Sequence, residues 1–305
     1  MFLVKPSYQI LAGSNKYDLP YTYEKPKNLI EVAGRTCYKS EDKITEDSSE
    51  KFVEMLKNRS HNAMIEHSWE TRYYPTINLP HYKFLNFLQI HYIGTLVSGN
   101  IRAFDEWDFA DKQDFKNPGK NDYLNGGENE LNHIYREKRW DMLSATVKFV
   151  CDRGVTHELV RHRPPAFAQE STRYCNYSKD KFGNQITFII PPWFDWLKEG
   201  EYSWGETSPE GISAAEHLDA WFWFKFLDES ERVYSSLISE GWKPEQARSI
   251  LPNALKTEIV VSADLQEWKH IFKLRTAITA HPQMRELMIP LHEDFKNLYQ
   301  GVFDE

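Results

Sequence analysis

A chain of 305 residues with 41% hydrophobic side chains can bury one large core or two modest ones, which excludes a disordered or fibrous protein. Its formal net charge of −8 disfavours polyanion binding by the surface as a whole, so any contact with phosphate must be local. No run approaches the ~18 apolar residues of a membrane span, the start MFLVKPSYQI lacks a secretory pattern, and three cysteines without CxxC spacing support neither a disulfide framework nor a thiolate zinc site. A cytoplasmic protein with reduced thiols and no membrane partner is expected.

In chain order, residues 28–38 and 47–58 repeat apolar side chains at three- and four-residue steps (Leu29, Val32, Ala33; Phe52, Val53, Met55, Leu56), the period of amphipathic helices. Two polar stretches, Lys112–Glu130 and Lys198–Gly211, read as surface loops, the cores of two insertions at about 104–140 and 193–222. Residues 143–151 alternate as a half-buried strand, and a short helix is expected from about Arg153. Residues 185–190 form a further short β-rich run, stopped by Pro191 and Pro192. A long helix is expected over 213–240, with Pro244 at the first turn of the next. Strand 257–262, helix 265–276 and a last helix over about 284–299 complete the pattern. Helices and strands interleave without regular βαβ repetition, which favours α+β in a single domain covering 1–305. Ten tryptophans, among them Trp193, Trp196, Trp204, Trp221 and Trp223 around the second insertion, suit either core packing or an interface.

The densest cationic packet is Arg161-His162-Arg163, followed ten residues beyond Arg163 by Arg173, with Gln169, Glu170, Ser171 and Thr172 before it. Guanidinium groups bind phosphate and carboxylate through paired N–H donors, and hydroxyls complete an oxyanion's shell. The bland alternative is a solvated basic patch. Two zinc motifs fail on spacing: His157 and His162 are five apart rather than four, and four residues instead of two separate His61 from Glu66. No metal site is expected. Neither GxGxxG nor GxxxxGK[ST] occurs, so any dinucleotide must be held by side chains. Ser171 has no glycine-flanked elbow and reads as a ligand donor, not a nucleophile.

The segment RHRPPAFAQESTRY resembles the signature of the flavin-dependent thymidylate synthases, the ThyX family, and five further blocks resemble that family in the same order: AGRTCYKS, SHNAMIEH, EGWKPEQARSILP, SADLQEWKHIFKLR and AHPQMREL. The segment DRGVTHELVRHR, leading into the signature, resembles it too. The likeness covers about 28–295, outside the two insertions. It implies an antiparallel twisted sheet flanked by helices. It also implies conversion of dUMP to dTMP, with 5,10-methylenetetrahydrofolate as carbon donor and NADPH as reductant acting through FAD, in a homotetramer whose sites lie between subunits.

Transferred residue by residue, the resemblance makes Arg275 the catalytic group, acting at the N3 side of the pyrimidine to activate C5. It places Glu158, Arg161, Gln169, Glu170, Ser171, Thr172, Arg173, Arg248 and Arg275 around dUMP, with Ser171 and Arg173 on its phosphate. Cys37, His61, Ala63, Arg161, His162, Arg163, Asp264, Gln266 and His270 fall at FAD positions. Cys37, Ala63, Asp264 and Gln266 depart from commoner family residues. Gln266 for Arg removes a cation and Asp264 for Asn adds an anion, which disfavours a phosphate contact there. No protein nucleophile is required; Cys175 is the one thiol near the signature that could attack a pyrimidine ring. The competing reading is a non-catalytic nucleotide or single-stranded nucleic-acid binding module built on Arg161, Arg163 and Arg173.

Overall fold

The computed structural model describes residues 1–13, 26–73, 91–93, 96–104, 134, 136–203 and 217–304. Its elements are β1 (Phe2–Val4), β2 (Ser7–Gly13), α1 (Pro26–Tyr38), α2 (Ser48–Asn58), β3 (Trp69–Tyr73), β4 (His91–Ile93), β5 (Leu96–Asn100), β6 (Ser144–Asp152), α3 (Arg153–Leu159), β7 (Ala166–Gln169), β8 (Thr187–Ile189), β9 (Gly200–Glu201), α4 (Leu218–Ser239), α5 (Pro244–Ala247), β10 (Lys256–Asp264), α6 (Leu265–Arg275) and α7 (Pro282–Leu298). A 3-10 segment, Asn62–His67, follows α2.

The central sheet runs β2-β6-β10-β7, with every pair antiparallel. Its spine is β6 against β10, in register from Lys256 opposite Asp152 to Asp264 opposite Ser144. Because side chains alternate across a strand, one face carries Ala145, Val147, Phe149, Ile259, Val261 and Ala263. These pack on α6 and α7 through Trp268, Phe272, Met288 and Phe295. Trp268 is fully buried, and its indole N–H donates to the Ala145 carbonyl at 3.0 Å, so the largest ring of this layer carries no unmet polar group. The opposite face carries Ala168 and Val260 and is covered by α1 through Leu29 and Ala33. The result is an antiparallel sheet with helices on both sides, the α+β arrangement expected.

A smaller sheet, β8-β1-β9, packs Leu3 and Phe188 against Phe224, Leu227 and Tyr234 of α4, and a third sheet is ordered β3-β5-β4. Ahead of the stretch that the family likeness covers, residues 2–4 and 7–13 contribute strands: β2 is an edge of the central sheet, and β1 pairs parallel with β8 and antiparallel with β9. Two expectations need correcting. The stretch beginning at Lys198 is not all loop, since β9 lies within it and is tied to β1. The strand over 143–151 is more than half-buried, because neighbours on both edges and helices on both faces enclose it. Trp221 and Trp223 pack against the α4 core, whereas Trp193 and Trp196 are exposed. The first predicted loop, Trp204 and residues 213–216 of the predicted long helix lie outside the described residues. Among the described residues no helix is long and apolar enough to cross a membrane.

Candidate functional site

Both central strands run straight into a helix, and a buried or half-buried aspartate caps each junction. Asp152 accepts from the Val155 N–H at 2.7 Å at the start of α3, and Asp264 accepts from the Glu267 N–H at 2.6 Å at the start of α6. Since β6 and β10 are antiparallel, α3 and α6 begin at opposite ends of the sheet. Helix α6 has 11 residues. At 1.5 Å rise per residue it runs back about 16 Å, so its last residue arrives where α3 ends. That residue is Arg275.

Arg275 is clamped there. Its Nε donates to His162 Nε2 at 3.0 Å, Nη1 to Glu158 Oε2 at 2.7 Å, and Nη2 to the Glu158 carbonyl at 2.8 Å. Three of the five N–H donors of a guanidinium are thereby engaged among the described residues. His162 is buried, and the His270 ring stands edge-on to it at 5.7 Å. Arg161 and Arg163, flanking His162, are exposed. A cleft of about 200 Å³ opens beside α3, lined among others by Asp152, Glu158, Trp193, Trp223, His281 and Gln283, and Glu158 is common to the cleft and the Arg275 clamp.

The signature divides after Ala168. Gln169, opposite Ile259, faces the α3 side and donates through Nε2 to Thr156 Oγ1 at 2.9 Å and Thr257 Oγ1 at 3.3 Å. Glu170 turns to the opposite face. There Tyr177 donates to its Oε1 at 3.1 Å and Lys256 to its Oε2 at 3.1 Å. Lys256 also reaches Glu258, which gathers Lys39 at 2.8 Å and Lys148 at 2.5 Å. Burial pushes the Glu258 carboxyl upward, but the ammonium charges of Lys256, Lys39 and Lys148 outweigh it and hold the group well below the usual carboxylate range. Glu41, 3.2 Å from Lys39 and 3.6 Å from Lys148, is the third carboxylate against the three ammonium groups, so Glu170 joins a charge-balanced network under α1 and does not share the space of Gln169 and Arg275.

The remaining expected residues form two further groups. Ser171 donates its backbone N–H to the Cys37 carbonyl at 2.9 Å, and its hydroxyl accepts from the Arg173 N–H at 3.3 Å. Arg248 donates to Thr172 Oγ1 at 3.2 Å, while the exposed Arg173 guanidinium lies 5.5 Å over the Tyr174 ring. Ser171, Thr172, Arg173 and Arg248 thus make a compact cationic and hydroxyl set.

At the flavin positions, His61 and Ala63 are exposed at the 3-10 segment, and Gln266 and His270 are exposed on α6. Asp264 spends its carboxylate on capping α6, and burial pushes it up to about 6. His91 Nε2 stands 3.8 Å from Asp264, and His91 Nδ1 stands 3.1 Å from Asp141. Cys37 is half-buried beside Met64, and burial pushes its thiol up to about 11.

Sequence reading missed Thr156 and Thr257, which hold Gln169, and Glu267, whose Oε1 lies 3.4 Å from His162 Nδ1. A signal for Glu267 exists: Asp264-Leu265-Gln266-Glu267 has the spacing of a capping box, which puts an acidic side chain at the third helical position.

Residues 108–299 match the family described as thymidylate synthase complementing protein. A flavin-dependent thymidylate synthase of Pyrococcus furiosus is 33% identical over 144 residues, 47% of this chain and 50% of that one. One of Mycobacterium sp. (strain JLS) is 28% identical over 177 residues, 57% of this chain and 67% of that one. The chain spans about half the length of the archaeal relatives it matches. Among solved structures, the UMP/dUMP methylase PolB of Streptomyces cacaoi, bound with 5-Br dUMP, covers 100% of this chain and 96% of its own at 14% identity and a TM-score of 0.45, too low to bear on the site.

Proposed function

The chain belongs to the thymidylate synthase complementing protein family, and on that premise we propose that it is a flavin-dependent thymidylate synthase. In this reading it methylates dUMP to dTMP as a single catalytic unit, taking carbon from 5,10-methylenetetrahydrofolate and reducing equivalents from NADPH through FAD. It does so as a cytoplasmic homotetramer with sites between subunits. The observation that carries the reading is the Arg275 clamp. A guanidinium fixed on one side by Glu158 and His162 keeps N–H donors for a ligand, and a preorganised cation beside a pyrimidine stabilises negative charge as it develops on the ring.

The residues fit a flavin dinucleotide in part. Arg161 and Arg163 are exposed cations bracketing His162, with His270 adjacent, which suits a diphosphate and a planar ring. Asp264 and Gln266 do not suit phosphate: one carboxylate is committed to a helix cap and the other side chain carries no charge. Arg161, Arg163, His162 and His270 would therefore hold the group, with Cys37, His61 and Ala63 at its periphery. When bound, FAD supplies the redox chemistry of the reduction. Ser171, Thr172, Arg173 and Arg248 suit the phosphate of dUMP, Gln169 orients the ligand from the sheet, and Arg275 favours loss of the N3 proton.

A thiolate route is disfavoured. Cys175 is buried and its thiol is pushed up to about 12 by burial, and Cys151 is fully buried and its thiol is likewise pushed well above the ordinary value. Purified protein is expected to be yellow, to lose its visible flavin absorption on adding NADPH, faster with dUMP present, and to form dTMP when the folate is supplied. A colourless protein that binds polynucleotide with steep salt dependence would instead favour a non-catalytic module.

A further inference from the structure

Three side chains of metal-ligating type, His162, Glu267 and His270, bring ligand atoms within 4.8 Å of one another beside Arg275. They can serve as a cation site or as a hydrogen-bond relay, and the protons on His162 separate the two. Arginine stays protonated at every working pH, so its Nε carries a hydrogen, and that hydrogen is directed at His162 Nε2 over 3.0 Å. Nε2 must accept, and a neutral imidazole that accepts at Nε2 holds its proton on Nδ1. Nδ1 faces Glu267 Oε1 at 3.4 Å, and that oxygen is buried without a hydrogen-bond partner among the described residues. A cation on Nδ1 would force the ring proton onto Nε2, setting two N–H donors against each other across 3.0 Å. The relay sets a donor against each acceptor, with Glu267 Oε1 in ion-pair range of Nδ1 and otherwise without a hydrogen-bond partner among the described residues; the cation sets donor against donor.

We propose that Glu267 is a positioning residue: its carboxylate holds His162 in the Nδ1–H form, so that Nε2 accepts from Arg275 and fixes the guanidinium at the end of α6. The helix itself makes this possible. Glu267 and Arg275 are eight residues apart, about 12 Å of rise, and the His162 ring bridges the interval between their side chains. Glu267 is in turn anchored by its own N–H on Asp264 Oδ1 at 2.6 Å. Glu158 completes the clamp from the other side, so two acidic residues on different helices set the orientation of one arginine.

The catalytic consequence rests on the thymidylate synthase reading; the protonation pattern does not. In full-length protein labelled with 15N-histidine, the His162 signals, assigned by their loss in His162→Gln, are expected to report the Nδ1–H tautomer near neutral pH. Glu267→Ala is expected to move His162 to the Nε2–H tautomer and to lower kcat for dTMP formation about tenfold, the loss of one hydrogen bond to a charged group. Glu267→Gln, whose carbonyl oxygen still accepts from Nδ1, is expected to keep the tautomer and recover most of kcat. An Nε2–H tautomer in the unsubstituted protein would overturn the proposal. So would unchanged tautomer and kcat in Glu267→Ala, or stoichiometric Zn2+ binding that shifts His162 and His270 together. If Glu267→Ala does not fold, the tautomer of the unsubstituted protein and of Glu267→Gln carries the test. The expected tautomer in a protein that forms no dTMP would uphold the relay and overturn the assigned activity.

Discussion

Gln169 and Glu170 are neighbours in sequence and belong to two different chemistries. On the α3 and α6 side, Gln169 and Arg275 are held from behind, and Arg275 keeps N–H donors that no described residue engages; the Glu158 side chain is 37% exposed and that of Arg275 18%. On the α1 side, Glu170 and Glu258 are met by Lys39, Lys148, Lys256 and Tyr177, and the Glu170 side chain is 1% exposed. Both regions are polar and both contain carboxylates. The difference lies in satisfaction: a network whose charges are all paired with one another holds the fold, whereas a clamp with unspent donors can bind something.

The comparison breaks most sharply at Arg275. Arg275→Ala is expected to lower kcat for dTMP formation by about 10²–10³-fold, with a urea midpoint close to that of the unsubstituted protein; comparable losses of stability and activity would place Arg275 among the structural residues instead. Glu258→Ala should do the reverse. Removing the carboxylate takes away the acid that the three ammonium groups share, leaving Lys39 and Lys148 with Glu41 and Lys256 with Glu170, which costs about 3 kcal/mol in denaturant unfolding, while the folded fraction keeps its turnover.

A third test separates the α1 side by pH. His67 is buried, with Nδ1 2.8 Å from Ser262 Oγ, which also meets Thr146 Oγ1 at 2.7 Å. Burial holds the imidazole down to about 4, against 6.5 for a free histidine. The unfolded chain therefore takes up a proton that the folded protein refuses, and stability falls as pH drops from about 6.5 to about 4, by roughly 3 kcal/mol in all, then levels off as far as this group is concerned. The Glu258 contribution is lost only below its unfolded value of about 4.5, so the two decline in successive windows. Chemical denaturation across pH should show the His67 slope in the native sequence and lose it in His67→Gln.

The smallest effect is expected at Cys175. Cys175→Ala should cost on the order of 1 kcal/mol in stability through lost packing and leave kcat within about twofold. Near-complete loss of activity there would sink the route without a protein nucleophile.

Several features were legible in the residues themselves. Apolar steps of three and four marked α1 and α2, Pro244 marked the start of α5, and the strand expected over 257–262 lies within β10. The density of cations singled out the RHR packet. These are local signals, carried by periodicity, by proline stereochemistry and by side chains of fixed charge; Arg275 was singled out only by the likeness of the ordered blocks to a family. What was not legible depended on distant partners. Strands β1 and β2 are short edges whose reason for being strands is β8, β9 and β6, more than a hundred residues away. The separation of Gln169 from Glu170 needed the pairing register with β10, because a shift of one residue exchanges the two faces. The meeting of Arg275 with Glu158 and His162 needed the length and direction of α6 folded back on an antiparallel pair. Which residues can carry charge is written in their identity; which charges end up facing each other is a matter of register and helix length, and only the folded chain decides those.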